Sequence, residues 1–247
     1  MKVKVAIVTD LHFSRFPNSA IPSRKGEFAG ELLRRTVRRL NCVLKPDLVF
    51  IGGDLIDRPE DVNGLELLAE LKQIISLLEA PAIVIRGNHD PDEKIFERII
   101  GKQPDFIDIK GIRFVPFSDA EEPGCNASRS DRELSRMRKL GAEFTGSLVC
   151  LQHVPLFPPE DGGCPYNYTN AADIIEIMRE TGYALALSGH YHNGFQLTNR
   201  QGLNYIAGRA LCEEPFACTL IEIATDGTVN RREDSLGKLL GNGEKEG

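Results

Sequence analysis

Five short apolar runs punctuate the chain, at residues 3–9, 48–51, 82–85, 147–152 and 184–188, and each stops abruptly at polar residues. Each has the length of a strand and little alternation, the pattern of strands buried on both faces. Between them the spacing changes to that of helices. Residues 27–43 place Phe28, Leu32, Leu33, Val37 and Leu40 on one face and Arg34, Arg35, Arg38 and Arg39 on the other. That arginine cluster is read as a solvated face in preference to an anion site. Further helices are predicted over 62–78, capped by Asp61 or Asn63 and ended before Pro81, and over 91–100, 130–140 and 171–181. In the 91–100 helix, Pro91 stands where its missing amide does no harm and Asp90 is the expected cap.

The remaining strands are of a different kind. Residues 106–109 and 112–115, parted by Lys110-Gly111, read as a hairpin at the sheet's periphery, and 194–198, 203–207, 216–223 and 228–232 as strands joined by turns such as Asp226-Gly227. Alternating strands and helices predict an α/β fold. No internal repeat or linker divides the chain, so one domain is expected over 1–240, followed by a polar, glycine-rich and disordered tail at 241–247.

Composition narrows the class only a little. Of the 247 residues 41% are hydrophobic and 27% charged, as in a globular protein with a sizeable core. The net charge of −6 argues against long nucleic acid as a partner, since such binding neutralises many phosphates. Neither a signal peptide nor a membrane-spanning run is recognised, so a cytoplasmic location is expected. None of the six cysteines forms a Cys-x-x-Cys pair. Cys42, Cys150 and Cys218 read as small buried hydrophobes, whereas Cys125 and Cys164, in glycine-containing loops, are open to reactivity.

The chemistry lies where the apolar runs end. Residues 48–57 read Leu-Val-Phe-Ile-Gly-Gly-Asp-Leu-Ile-Asp and put Asp54 just past a buried strand, a poor place for a packing residue and the usual place for a ligand site in α/β sheets. The other runs deliver Asp10 and His12, Asn88 and His89, His153, and His190 and His192, so all five histidines belong to the set. Oxygen and imidazole donors without thiolate suit Mn, Fe or Zn. These ligand candidates are too many for one ion and suit two, with Asp54 as the bridge because a carboxylate has two donor atoms.

The order Asp-x-His, Gly-Asp-x-x-Asp, Gly-Asn-His-Asp, His, Gly-His-x-His over residues 10–192 resembles the calcineurin-like metallophosphoesterase superfamily. That resemblance implies a four-layer α/β/β/α sandwich with two central mixed sheets. It implies one transition-metal ion held by Asp10, His12, Asp54 and His192 and a second by Asp54, Asn88, His153 and His190, with a metal-bridging water or hydroxide as the nucleophile. His89 would then protonate the leaving oxygen and Asp57 would orient His89 by accepting from its imidazole, although a salt bridge of Asp57 with Arg58 is the plainer reading. Pro59 and Asp90 depart from the protein Ser/Thr phosphatase pattern. What remains resembles the small prokaryotic phosphodiesterases, with a cyclic nucleotide or another small phosphodiester as substrate. The alternatives are a phosphomonoesterase, a nuclease, and a non-catalytic scaffold. The Pro- and Gly-rich loop 155–168 is the expected selector, with Tyr166, Asn167 and Tyr168 either lining the leaving-group pocket or packing structurally. A homodimer is the default expectation for assembly.

Overall fold

The computed structural model describes residues 1–61, 63–159, 164–224 and 227–237. The elements follow in the order β1 (Lys2–Val8), α1 (Ala29–Arg39), β2 (Leu48–Ile51), α2 (Gly64–Ile75), β3 (Ala82–Val84), α3 (Glu93–Ile100), β4 (Ile107–Ile109), β5 (Ile112–Pro116), β6 (Ala120–Glu122), β7 (Asn126–Ser128), α4 (Asp131–Ala142), β8 (Ser147–Leu151), α5 (Ala171–Thr181), β9 (Tyr183–Ser188), β10 (Phe195–Arg200), β11 (Leu203–Ala207), β12 (Ala217–Ala224) and β13 (Val229–Ser235).

Two large mixed sheets stack face to face. One runs β13-β12-β1-β2-β3, and its β1, β2 and β3 are parallel. The other runs β10-β11-β9-β8-β5-β4, with β11, β9, β8 and β5 parallel and the edge strands antiparallel. The period of two along β1 explains the layering. Val3, Val5 and Ile7 pack against Phe114, Leu151 and Leu187 of the opposite sheet, while Ala6 and Val8 face Leu32, Leu33 and Leu68 of α1 and α2. Beyond the second sheet, Cys150 and Ala186 face Met137 and Ile174 of α4 and α5. This is an α/β/β/α arrangement, and both faces of β1, β2, β8 and β9 are covered, hence the near-continuous apolar runs.

Several local expectations need correction. The cap of α3 is Asp92, whose carboxylate accepts from the Ile95 N–H at 3.0 Å, and the helix begins at Glu93. Asp90 turns inward instead. At the start of α2, Asn63 holds the cap position in a left-handed conformation (φ 65) without a side-chain hydrogen bond. The β4–β5 hairpin does stand at the end of its sheet, with β4 at the edge and β8 paired to the far side of β5. Cys42 is exposed, on the solvent side of the wider turn Leu40–Leu44 that follows α1 and buries Leu40 and Leu44 instead, whereas Cys150 and Cys218 are buried. The arginine face of α1 is partly engaged: Arg39 forms a two-pronged pair with Asp234 at 2.6 and 2.7 Å, and Arg35 donates to the Leu236 carbonyl. The expected tail at 241–247 and the Asp226 turn residue lie outside the described residues.

Candidate metal centre

The parallel strands of both sheets end at the same edge of the molecule, so the polar residues after them converge. Asp10 and His12 follow β1, Asp54 follows β2 and Asn88 follows β3, while His153 and His190 follow β8 and β9 of the opposite sheet. The site therefore straddles the seam between two sheets rather than the edge of one. The backbone after β1 is stitched to the loop after β2 by N–H groups of Asp10, Leu11, His12 and Phe13 donating to carbonyls of Gly53, Asp54 and Leu55 at 2.9 to 3.1 Å. Asp10 (φ 54), His12 (φ 45), Asp54 (φ 52) and His190 (φ 64) all sit in the left-handed region. A non-glycine residue there costs free energy and persists where the surrounding structure enforces it, typically at functional sites. Gly87 is required by close approach, since a Cβ there would run into Asp54 and His153.

The side chains form two groups that meet at Asp54. Asp10, His12 and His192 offer ligand atoms close together, as do Asp54, His153 and His190. His12 Nε2 lies 3.6 Å from one Asp54 oxygen and His153 Nε2 3.4 Å from the other. Asn88 Oδ1 is 3.2 Å from His153 Nε2. Asp10 is fully buried and accepts from the Thr9 hydroxyl at 2.7 Å and from the His190 N–H.

The ring nitrogens test whether this set fits metal ions. His12 Nε2 and His192 Nε2 face each other at 3.1 Å, as do His153 Nε2 and His190 Nδ1. Behind three of these rings the second nitrogen meets an acceptor: the Gly52 carbonyl for His153 (2.6 Å), the Cys125 carbonyl for His190 (2.9 Å) and the Glu213 carboxylate for His192 (2.9 Å). His12 Nδ1 lies 3.3 Å from Asp57 Oδ1 without a regular hydrogen bond. An acceptor takes the ring proton on the outer nitrogen, so each neutral ring points a lone pair inward. Opposed lone pairs at such distances are stabilised by a cation between them, and a histidine oriented from behind by carboxylate or carbonyl is the usual support of a metal ligand.

Electrostatics agree. Burial would raise the Asp54 carboxyl, but His153 and His12 hold it well below the usual range. Burial would lower His153, yet Asp54 raises it to about 9. That proton balances the carboxylate, and a metal ion does the same by its own charge. Burial and then the neighbouring His153 push His190 down to about 4. Asp90 is pushed up to about 7 by burial and by Asp54. Its carboxyl accepts from the N–H groups of Leu55, Ile56 and Gly87, and so ties the loop after β3 to the loop after β2.

The chain matches the model of the calcineurin-like phosphoesterases over residues 3–194. It belongs to that family. It is 25% identical over 206 residues to a probable cyclic nucleotide phosphodiesterase of Synechococcus sp., covering 79% of this chain and 75% of that protein. It is 23% identical over 176 residues to a cAMP/cGMP dual specificity phosphodiesterase of Mycobacterium tuberculosis, covering 66% of this chain and 54% of the relative, so it spans about half that relative's length. Among solved structures, a dimetal phosphatase from Danio rerio superposes with a TM-score of 0.75 at 13% identity, over 94% of this chain and 98% of that one, a likeness of fold. As a metallophosphoesterase the chain has a centre built for metal ions, and the residues that converge fit such a group.

The remaining sequence-predicted residues fall into place unevenly. His89 Nδ1 lies 2.7 Å from the main-chain carbonyl of Asp57, so Asp57 contacts His89 through its backbone and not its carboxylate. That carboxylate is shared among His12, Arg24 at 3.4 Å and Asn18 at 3.2 Å, and its ion pair is with Arg24 rather than Arg58. Tyr166 packs its ring on His190, centroids 4.5 Å apart, and lines an open cavity of ≈ 240 Å³ with Asp54, Asn88, His89 and His192. Asn167 is engaged elsewhere, accepting from the N–H groups of Phe157 and Tyr168 and donating to the Phe157 carbonyl. Tyr168 is buried and donates to Asp119 at 2.7 Å. The loop's residues 160–163 lie outside the described residues. Arg24, Glu213 and the β6–β7 hairpin, whose Cys125 carbonyl meets His190, carried no sequence signal.

Proposed function

We propose that this metallophosphoesterase hydrolyses small phosphodiesters, cyclic nucleotides first among them, with two ions sharing Asp54. Asp10, His12, Asp54 and His192 would hold one ion, and Asp54, Asn88, His153 and His190 the other. The observation that carries this reading is the pair of donor groups meeting at the two oxygens of one buried carboxylate. When bound, ions of this class supply Lewis acidity toward phosphoryl oxygens and a water-derived nucleophile at neutral pH.

The chain's own residues would supply the rest. The Asp57 carbonyl accepts only, so His89 carries a proton on Nδ1 and presents Nε2 to the cavity. In its charged form Nε2 donates a proton to the leaving alkoxide, which otherwise departs poorly. Tyr166 offers an aromatic face beside the site against which a base could stack. The names of the two phosphodiesterase relatives support a diester and a cyclic nucleotide over a monoester.

The test is turnover of 3′,5′-cyclic nucleotides, linear aryl diesters and phosphomonoesters by chelator-stripped protein before and after reconstitution with Mn²⁺. Metal-dependent hydrolysis of diesters ahead of monoesters is expected. A preference for monoesters would make the protein a phosphomonoesterase, and no turnover with any of several divalent ions would leave a scaffold. Tyr166→Ala is expected to flatten selectivity among nucleobases, and unchanged selectivity would remove Tyr166 from recognition.

A further inference from the structure

Arg24 belongs to the loop between β1 and α1 and lines the same cavity as His89, Tyr166 and His192. Among the described residues lining that cavity it is the one lysine or arginine. Its loop is pinned in place: the Arg24 N–H donates to the Ile21 carbonyl, the Lys25 N–H to the Cys212 carbonyl, and the Ser23 hydroxyl to Glu213.

The bland reading of a half-buried arginine is a structural counter-ion, and three arginines among the described residues show what a two-pronged counter-ion looks like. Arg129 grips Asp119 through two nitrogens at 2.7 and 3.1 Å, Arg39 grips Asp234 at 2.6 and 2.7 Å, and Arg113 grips Asp108 at 2.9 Å twice. Arg24 has no such grip. Its Nη1 reaches Asp57 at 3.4 Å, and its Nη2 makes no hydrogen bond to the described residues. The carboxylates around it are already shared, Asp57 with His12 and Asn18, and Glu213 with His192 and Ser23. A permanently charged fork with an unsatisfied donor beside a phosphoester site matches a phosphoryl oxygen in charge and geometry.

We propose that Arg24 is a phosphate-binding residue of this site, donating to a non-bridging phosphoryl oxygen of the substrate and of the product. The proposal rests on the phosphoesterase reading above, but binding of inorganic phosphate tests it without turnover. In the Mn²⁺-reconstituted protein, Arg24→Met should keep the wild-type metal content and weaken phosphate, measured by calorimetry, about 10- to 100-fold. With bis(4-nitrophenyl) phosphate, kcat/KM should fall on the order of 10²-fold. Phosphate affinity within twofold of wild type, or a loss of metal that accounts for the weakened binding, would overturn the assignment. Should Arg24→Met not fold, Arg24→Lys carries the test: it keeps the charge and lacks the planar guanidinium fork, so about tenfold weaker phosphate supports the role and unchanged affinity refutes it. If the wild type hydrolyses no phosphoester, the proposed function fails while the phosphate measurement still decides Arg24.

Discussion

Two buried polar clusters flank the end of β8, one fed by Gln152 and the other by its neighbour His153, and they are completed in opposite ways. Around Gln152, Arg129 pairs with Asp119, donates to Gln152 at 3.0 Å, lies over the Phe117 ring at 3.7 Å and shares Asp119 with the Tyr168 hydroxyl. This cluster brings its own cation and satisfies its acceptors. Around His153, the carboxylates of Asp10 and Asp54 and the inward-facing ring nitrogens gather, and among the described residues no arginine or lysine pairs with those two carboxylates; four of the residues hold left-handed backbone. Similar burial thus serves two ends. A cluster that closes on itself stabilises the fold, and one that needs an outside cation is built to bind it.

The sharpest way to break that contrast is at Asp54. Asp54→Asn keeps the shape and removes the charge shared by both groups, so metal content and turnover should fall together, turnover on the order of 10³-fold. Retained metal with retained activity would disconnect Asp54 from the centre. His89→Ala should separate chemistry from assembly: both ions stay while turnover of a substrate with a poor leaving group drops about 10²-fold or more, and an activated aryl diester suffers less. Equal losses for both leaving groups would exclude His89 as the acid.

The closed cluster should respond in stability instead. Arg129→Met leaves Asp119 buried without its cation, a loss of about 3–5 kcal/mol readable by urea unfolding. An unchanged urea midpoint would show that the pair contributes nothing net. The smallest expected effect lies behind the open cluster: Glu213→Gln removes the carboxylate that orients His192 and should weaken binding of the more labile ion about 10- to 100-fold. Metal affinity identical to wild type would make Glu213 a surface acid.

The legible part of the molecule was the part set by local pattern. Strands covered on both faces leave continuous apolar runs, and their ends, with Asp10, Asp54, Asn88, His153 and His190, are visible as polar stops. α5 and β11 were readable to the residue for the same reason, since periodic apolar spacing there is flanked by Gly182 and by Gln201-Gly202. The β6–β7 hairpin was not, being short, polar and anchored by pairing of Ala127 with Tyr168, a contact between distant loops. Asp90 looked like a cap because it precedes Pro91, but three buried N–H groups from two loops compete for its carboxyl. Likewise the contact of Asp57 with His89 runs through a carbonyl, which every residue possesses and no sequence advertises. Arg24 and Glu213 reach the site through irregular loops whose course depends on tertiary packing.

The central claim is that one buried carboxylate joins two metal positions. The direct measurement is a calorimetric titration of Mn²⁺ into chelator-stripped wild-type and Asp54→Asn protein, with bound metal counted by elemental analysis. Two ions per wild-type chain, with both sites weakened by the single substitution, is the predicted result. One ion or none in the wild type, or a substitution that weakens one site and leaves the other untouched, would contradict it.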